Sequence, residues 1–197
     1  MSKTTVASTG IDLSDNFAFT GTVSGTPSTF VKTGALTSTT DAGSYSLDSC
    51  FSATYLNYFV TFKFAVAADG SEGYLRFRTG GSTNSASKYM SYNHYGQNSG
   101  NPGYSQNNSS DHAKLGYDLE ATDTKAIQGF MYVFSPYSTT YLTNATTHFN
   151  AITQGGNRRF YIGGVQFDDT TSFDGFQFLP STGNGSLVDL QCWGIKE

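Results

Sequence analysis

The segment from Tyr58 to Val66 constrains the fold more than any other part of the chain. Tyr58, Val60, Phe62, Phe64 and Val66 fall on one side of an extended backbone, while Thr61 and Lys63 fall on the other. A period of two is the signature of a strand with one buried face. Tyr74-Leu75-Arg76-Phe77-Arg78 repeats it, with Leu75 and Phe77 inward and both arginines outward. Asp69-Gly70 and Gly73 separate the two runs, and so short a connection predicts neighbouring antiparallel strands.

Similar runs fill most of the chain. A weak strand is expected over Thr29 to Leu36. Phe130-Met131-Tyr132-Val133-Phe134 is apolar on both sides and reads as a fully buried strand stopped by Ser135-Pro136. Tyr141 to Phe149, Arg159 to Ile162 and Val165 to Phe167 follow, with Gly163-Gly164 between the last two. Near the end, a strand enters at Gly175 with Phe176 and Phe178 on one face. Ser181 to Gly185 reads as a hairpin turn, with Gly183-Asn184-Gly185 supplying positive φ. The closing strand sets Val188, Leu190 and Cys192 against Asp189 and Gln191.

Gly80 to about Asp111 is long and polar and reads as a functional loop, within which Lys88 to Tyr95 has strand character. Asp118 to Gln128 reads as strand or loop rather than helix, because Gly116 and Gly129 bound it tightly. The sum is roughly seven to nine short strands and no helix, which predicts an all-β antiparallel β-sandwich or jelly roll. Residues 1–25 are expected to form an extended N-terminal arm, with Ile11, Leu13, Phe17 and Phe19 as its assembly contacts, and residues 26–197 a single sandwich domain.

Composition agrees. Aromatic residues make up 15% of the 197 residues and charged residues 13%, where soluble domains carry roughly a quarter charged. The formal net charge is -4, and the Arg158-Arg159 pair makes no basic stripe, so no nucleic-acid partner is expected. No apolar run of about eighteen residues predicts membrane insertion. The N-terminus lacks the apolar core of a secretory signal, so synthesis in a cytoplasm is expected. Cys50 and Cys192 lie among apolar residues and read as small buried side chains in strands rather than a disulfide or metal site.

No catalytic constellation is legible. Asp168, Asp169, Asp174 and Asp189 are the nearest acidic cluster, and turn chemistry explains the first three more simply than catalysis. His94, His112 and His148 stand in separate polar segments without metal-ligand spacing. Gly80-Gly81 and Gly163-Gly164 precede no helix that would cradle a phosphate. No enzyme activity, metal or cofactor is therefore expected. Binding has more support. Tyr89, Tyr92, His94, Tyr95 and Tyr104 are interleaved with Asn, Gln, Ser and Gly, which suits adaptable contact with a receptor, a glycan or another subunit. Packing against a neighbouring subunit or over the sandwich edge is the plainer reading of the five.

Three stretches carry a resemblance. Thr171-Ser172-Phe173-Asp174-Gly175-Phe176-Gln177-Phe178, followed by a turn and Gly185 to Lys196, has an aromatic, Asp-Gly, an alternating strand and a closing Trp193-Gly194-Ile195 triplet. Ser49 to Tyr58 leads into the longest strand with Phe51, a small residue and two spaced tyrosines, Tyr55 and Tyr58. Ser8 to Gly25 is similar to a lead-in segment. Together they resemble a jelly-roll module recurrent in tail fibres and virion surface proteins of tailed bacteriophages, often marine and cyanobacterial phages, although tyrosine is commoner in that family at the position of Trp193. The resemblance implies a non-enzymatic virion structural protein, a homotrimer made in the bacterial host cytoplasm and displayed on the virion surface. Its partners would be itself, other tail or capsid proteins, and a host-surface glycan or protein. A tail or fibre component is the first expectation. The chain lacks a long fibrous shaft, so capsid decoration (cement) and neck proteins are alternatives. A carbohydrate-binding module or glycan-degrading enzyme with a similar sandwich is another.

Overall fold

In a computed structural model, which describes residues 29–196, the alternating segments form thirteen strands in two sheets. They are β1 (Phe30–Ser38), β2 (Tyr45–Leu47), β3 (Asn57–Val66), β4 (Ser71–Thr79), β5 (Ser82–Thr83), β6 (Tyr89–Gln97), β7 (Gly103–Ser110), β8 (Ala113–Leu119), β9 (Ile127–Phe134), β10 (Thr143–Ile152), β11 (Arg158–Phe167), β12 (Gly175–Pro180) and β13 (Gly185–Ile195). The large sheet has eight strands in the order β1-β13-β3-β9-β10-β11-β6-β7. The small sheet runs β2-β12-β4, with β5 and β8 sharing the far edge of β4. Every strand pair is antiparallel among the described residues. The fold is an all-β antiparallel sandwich. The expected arm, with Ile11, Leu13, Phe17 and Phe19, lies outside the described residues.

Aromatic rings join the sheets. Phe178 of β12 meets Phe62 and Phe64 of β3 at 5.2 and 5.9 Å between ring centroids. Phe173 sits between Phe77 of β4 and Phe167 of β11, each at 5.0 Å. All six rings are buried. Tilted, edge-on and stacked contacts of this kind add to the stabilisation from the area they remove from water. Cys50 and Cys192 are buried and unbridged, and the Cys50 thiol donates to the Leu47 carbonyl at 3.6 Å. Cys192 lies in β13, but Cys50 sits in the loop before Phe51 rather than in a strand.

Several sequence expectations need correction. Strands β3 and β4 are not paired: β3 lies between β13 and β9 in the large sheet, and β4 pairs β12 in the small one. The same holds at the end of the chain. Ser181 to Asn184 is no hairpin turn, because β12 and β13 belong to different sheets. In a sandwich, a short connection can arch from one sheet to the other as readily as it can close a hairpin. Of its three expected turn residues only Gly183 has positive φ, at 69°. Gly185 serves packing instead, since a Cβ there would meet Tyr45 Cε2 at 2.5 Å and Phe64 Cε2 at 2.9 Å.

The polar stretch from Gly80 to Asp111 is mostly sheet, namely β5, β6 and β7. β7 is an edge strand with polar contacts on its inner side, so it carries no apolar alternation. Asp118 to Gln128 holds the end of β8, the start of β9 and one 3-10 turn, Asp123–Lys125. The Gly163-Gly164 pair lies inside a continuous β11. Gly163 faces Asn93, and any side chain there would collide with the Asn93 amide and the Tyr92 carbonyl. The room so left lets buried Asn93 donate to the Lys114 carbonyl (2.8 Å) and accept from Thr147 Oγ1 (2.8 Å), tying β6, β8 and β10 together.

Truncating Phe178 to Ala should cost about 3–5 kcal/mol in urea unfolding, because it removes the ring that links the sheets. Phe160→Ala, at a position 47% exposed, should change stability by less than about 0.5 kcal/mol. Equal effects at the two positions would contradict this account of the core.

Candidate binding face

A sandwich buries only one face of each sheet, and the two outer faces of this one differ in kind. On the small sheet, β4 turns Glu72, Tyr74, Arg76 and Arg78 outward, and nearly every group has a partner. Lys114 Nζ donates to Glu72 Oε1 at 2.7 Å. The Tyr74 ring stacks on His112 at 3.6 Å. Arg76 pairs with the Asp111 carboxylate and donates from Nε to its carbonyl at 2.8 Å. Arg78 donates to Asp48 Oδ1 and to Thr83 Oγ1, each at 2.6 Å. Thr83 continues to Gln177 at 3.0 Å, and Gln177 to Ser46 at 3.3 Å. This face is satisfied within the chain.

The outer face of the large sheet is aromatic, and strand register sorts it into rows. One row runs Trp193, Phe59, Tyr132, Thr146, Gly164, Tyr92 and Gln106 across β13, β3, β9, β10, β11, β6 and β7. The row beside it holds Phe130, His148, Ile162, His94 and Tyr104. Phe59 is the hub, with Phe30, Trp193, Tyr132 and Phe130 at 5.1 to 5.8 Å from its centroid. His148 lies flat on Phe130 at 5.0 Å. At the far edge, Tyr92 stacks on Tyr104 at 5.6 Å and meets His94 edge-on at 4.8 Å. Phe30, Tyr92, Tyr104, Phe134, Phe160 and Ile162 are exposed. Apolar surface this extended is more than a soluble domain ordinarily leaves uncovered.

The five residues singled out from the sequence divide by the same period of two. Tyr92, His94 and Tyr104 come together on the outer face. Tyr89 points inward, fully buried, and its hydroxyl accepts from the Phe77 N–H (2.8 Å) and donates to the Asn84 carbonyl (3.0 Å). Tyr89 is therefore a core residue and offers no surface contact. Tyr95 also turns inward. The Arg159 guanidinium lies over its ring and over that of Tyr117, at 4.6 and 4.4 Å; the two rings meet edge-on at 5.8 Å, and their hydroxyls lie 2.5 Å apart. Burial, together with that hydrogen bond, pushes Tyr117 up to about 12. Tyr95 thus closes one end of the core.

Phe30, Phe59, Phe130, Tyr132, Phe134, Phe160, Ile162 and Trp193 were not anticipated as surface. The signal was present in segments such as Phe130 to Phe134, apolar on both sides, which reads as burial on both faces. Each histidine packs against a ring: His112 stacks on Tyr74, His148 stacks on Phe130, and His94 meets Tyr92 edge-on. Asp168, Asp169, Asp174 and Asp189 do not converge. Asp174 accepts from the Gly80 N–H at 2.8 Å, Asp169 faces Lys88 at 3.8 Å, and Asp189 accepts from Thr37 at 3.3 Å. Among the described residues no group of three His, Cys, Asp or Glu side chains is placed to hold a metal ion.

No family model, curated protein or solved structure matches this chain.

The small-sheet face generates a pH test. Burial pushes the Asp111 carboxyl up, but His112 and Arg76 outweigh it and hold it below the usual carboxylate range. A depressed native pKa stabilises the fold above the unfolded value of about 3.9, and that contribution disappears as pH falls through the native value. Asp111→Asn should therefore be less stable than wild type at neutral pH, modestly so because the carboxylate is partly exposed. In urea titrations the gap should close as pH drops through the carboxylate range. A gap independent of pH would contradict the assignment.

Proposed function

We propose that the chain is a non-enzymatic structural protein of a tailed-bacteriophage virion, a tail or fibre component that works by binding rather than chemistry. The observation that carries the binding role is the contrast between the two outer faces: one is closed by its own ion pairs, and the other presents unsatisfied aromatic surface. The virion assignment is supported by the resemblance of the Phe173–Lys196, Ser49–Tyr58 and Ser8–Gly25 stretches to the virion module, and by the antiparallel sandwich.

The two halves of the aromatic face suit two tasks. Around Phe59, the rings of Phe30, Phe130, Tyr132 and Trp193 form a dense anchor of the kind found at subunit interfaces. That half assembles the homotrimer. The half near β6 and β7, with Tyr92, His94 and Tyr104 over a polar surround, recognises the host surface.

Two measurements test this. Light scattering should give three times the monomer mass, and a Phe59→Ser, Trp193→Ser double variant should give a monomer with an unchanged circular dichroism spectrum. A monomeric wild type would rule out the trimer. Mass spectrometry of density-gradient-purified particles of the encoding phage should find the chain at the low copy number of a tail part. A copy number matching the capsid lattice would replace the tail assignment with decoration, and absence from particles would overturn the virion reading.

A further inference from the structure

The row that runs from Tyr132 to Tyr92 is interrupted by two small residues, Thr146 and Gly164. Where they fall, the outer face of the large sheet sinks into a trough of about 680 Å³. Tyr92 stands at one end and Phe134 at the other, three strands apart, or roughly 14 Å at the usual strand spacing. Between and beside them lie Thr146 and the amides of Asn144, Gln166, Gln106 and Asn108. The trough is shallow and open, which suits a ligand laid along the sheet rather than one enclosed by it.

Charge narrows the ligand. None of the lining residues is ionisable at neutral pH, so nothing in the trough compensates an anion or a cation. A wholly apolar ligand fares no better, because covering the amides without hydrogen bonds would cost their desolvation. Free hydrogen-bonding capacity remains. Gln166 Nε2 donates to Asn144 Oδ1 at 2.9 Å, which leaves the Gln166 carbonyl open. Gln106, Asn108 and Thr146 are exposed, and their side chains have no hydrogen-bond partner among the described residues. Each amide offers both donors and an acceptor. Tyr92 is held by Tyr104 and His94, so presenting its ring to a ligand costs little conformational entropy.

Aromatic faces flanking uncharged, two-way hydrogen-bonding groups match one ligand chemistry closely. A sugar ring has apolar C–H faces that stack on aromatic rings, and hydroxyl edges that donate and accept together. We infer that this trough binds an uncharged oligosaccharide, laid across β6, β11, β10 and β9 between Tyr92 and Phe134. The inference deepens the recognition half of the proposed function and rests on it, since it names the host-surface partner as a neutral glycan.

The test uses the full chain on an array of malto-, cello-, chito- and galacto-oligosaccharides, with sialylated and uronate-containing glycans alongside. A neutral oligosaccharide should bind. Gly164→Val places a branched side chain in the trough, and a Cβ there lies 3.3 Å from the Ala145 carbonyl, so a small adjustment of the sheet accommodates it. It should weaken binding at least tenfold. Tyr92→Ala leaves the backbone untouched and should do the same, while Arg158→Ala, outside the trough, should leave binding within twofold. Binding of acidic glycans only, absence of glycan binding, or neutral binding unchanged in both trough variants would overturn the inference. Particle mass spectrometry separates the two readings: a chain found in virions but silent on the array sinks only the ligand, whereas a chain absent from virions sinks the virion role whatever the array reports.

Discussion

Phe178 and the rings it touches hold the molecule together, because the strand ladders run within each sheet and not between them. Each interior strand satisfies its backbone within its own sheet. What fixes one sheet over the other is the removal of aromatic surface from water between them: Phe178 on Phe62 and Phe64, and Phe173 between Phe77 and Phe167. At the β6 end the sheets are close enough for hydrogen bonds to take over, through Asn93, Thr147 and the Lys114 carbonyl. The glycines sit where this closeness demands them, Gly163 opposite Asn93 and Gly185 beneath Tyr45 and Phe64.

That burial consumes one face of each sheet, and the fate of the other two separates scaffold from site. On the small sheet, residues from five strands complete each other's hydrogen bonds and charges. On the large sheet, rings stack on rings without being covered, and the Tyr92, His94, Tyr104 group stands beside a neutral trough made by two small residues in an otherwise bulky row. Rigid sheet backbone beneath both regions means a ligand or subunit meets a surface that is already organised.

Strand existence was legible along most of the chain. The inward sets of β3, β4 and β13 emerge as their alternation predicts, with Tyr58, Val60, Phe62, Leu75, Phe77, Val188, Leu190 and Cys192 all buried. Pairing was not legible. The links before β4 and before β13 look like hairpins in sequence, yet each carries the chain from one sheet to the other. The strands β6 and β7 were only partly visible, because an edge strand with polar neighbours on its inner side needs no apolar alternation. Among the candidate contact residues, Tyr92, His94 and Tyr104 lie together on the outer face, while Tyr89 and Tyr95 turn to the inner side of the same sheet.

The sequence by itself determined the class of the fold and which side of its most regular strands turns inward, because side-chain alternation is local and survives any arrangement of the strands. Only the tertiary structure decided which strands are neighbours, and therefore that Trp193, Phe59, Tyr132, Gly164 and Tyr92, drawn from across the chain, share one row. A row across a sheet is set by long-range hydrogen-bond register, to which period-two alternation along a single strand is blind.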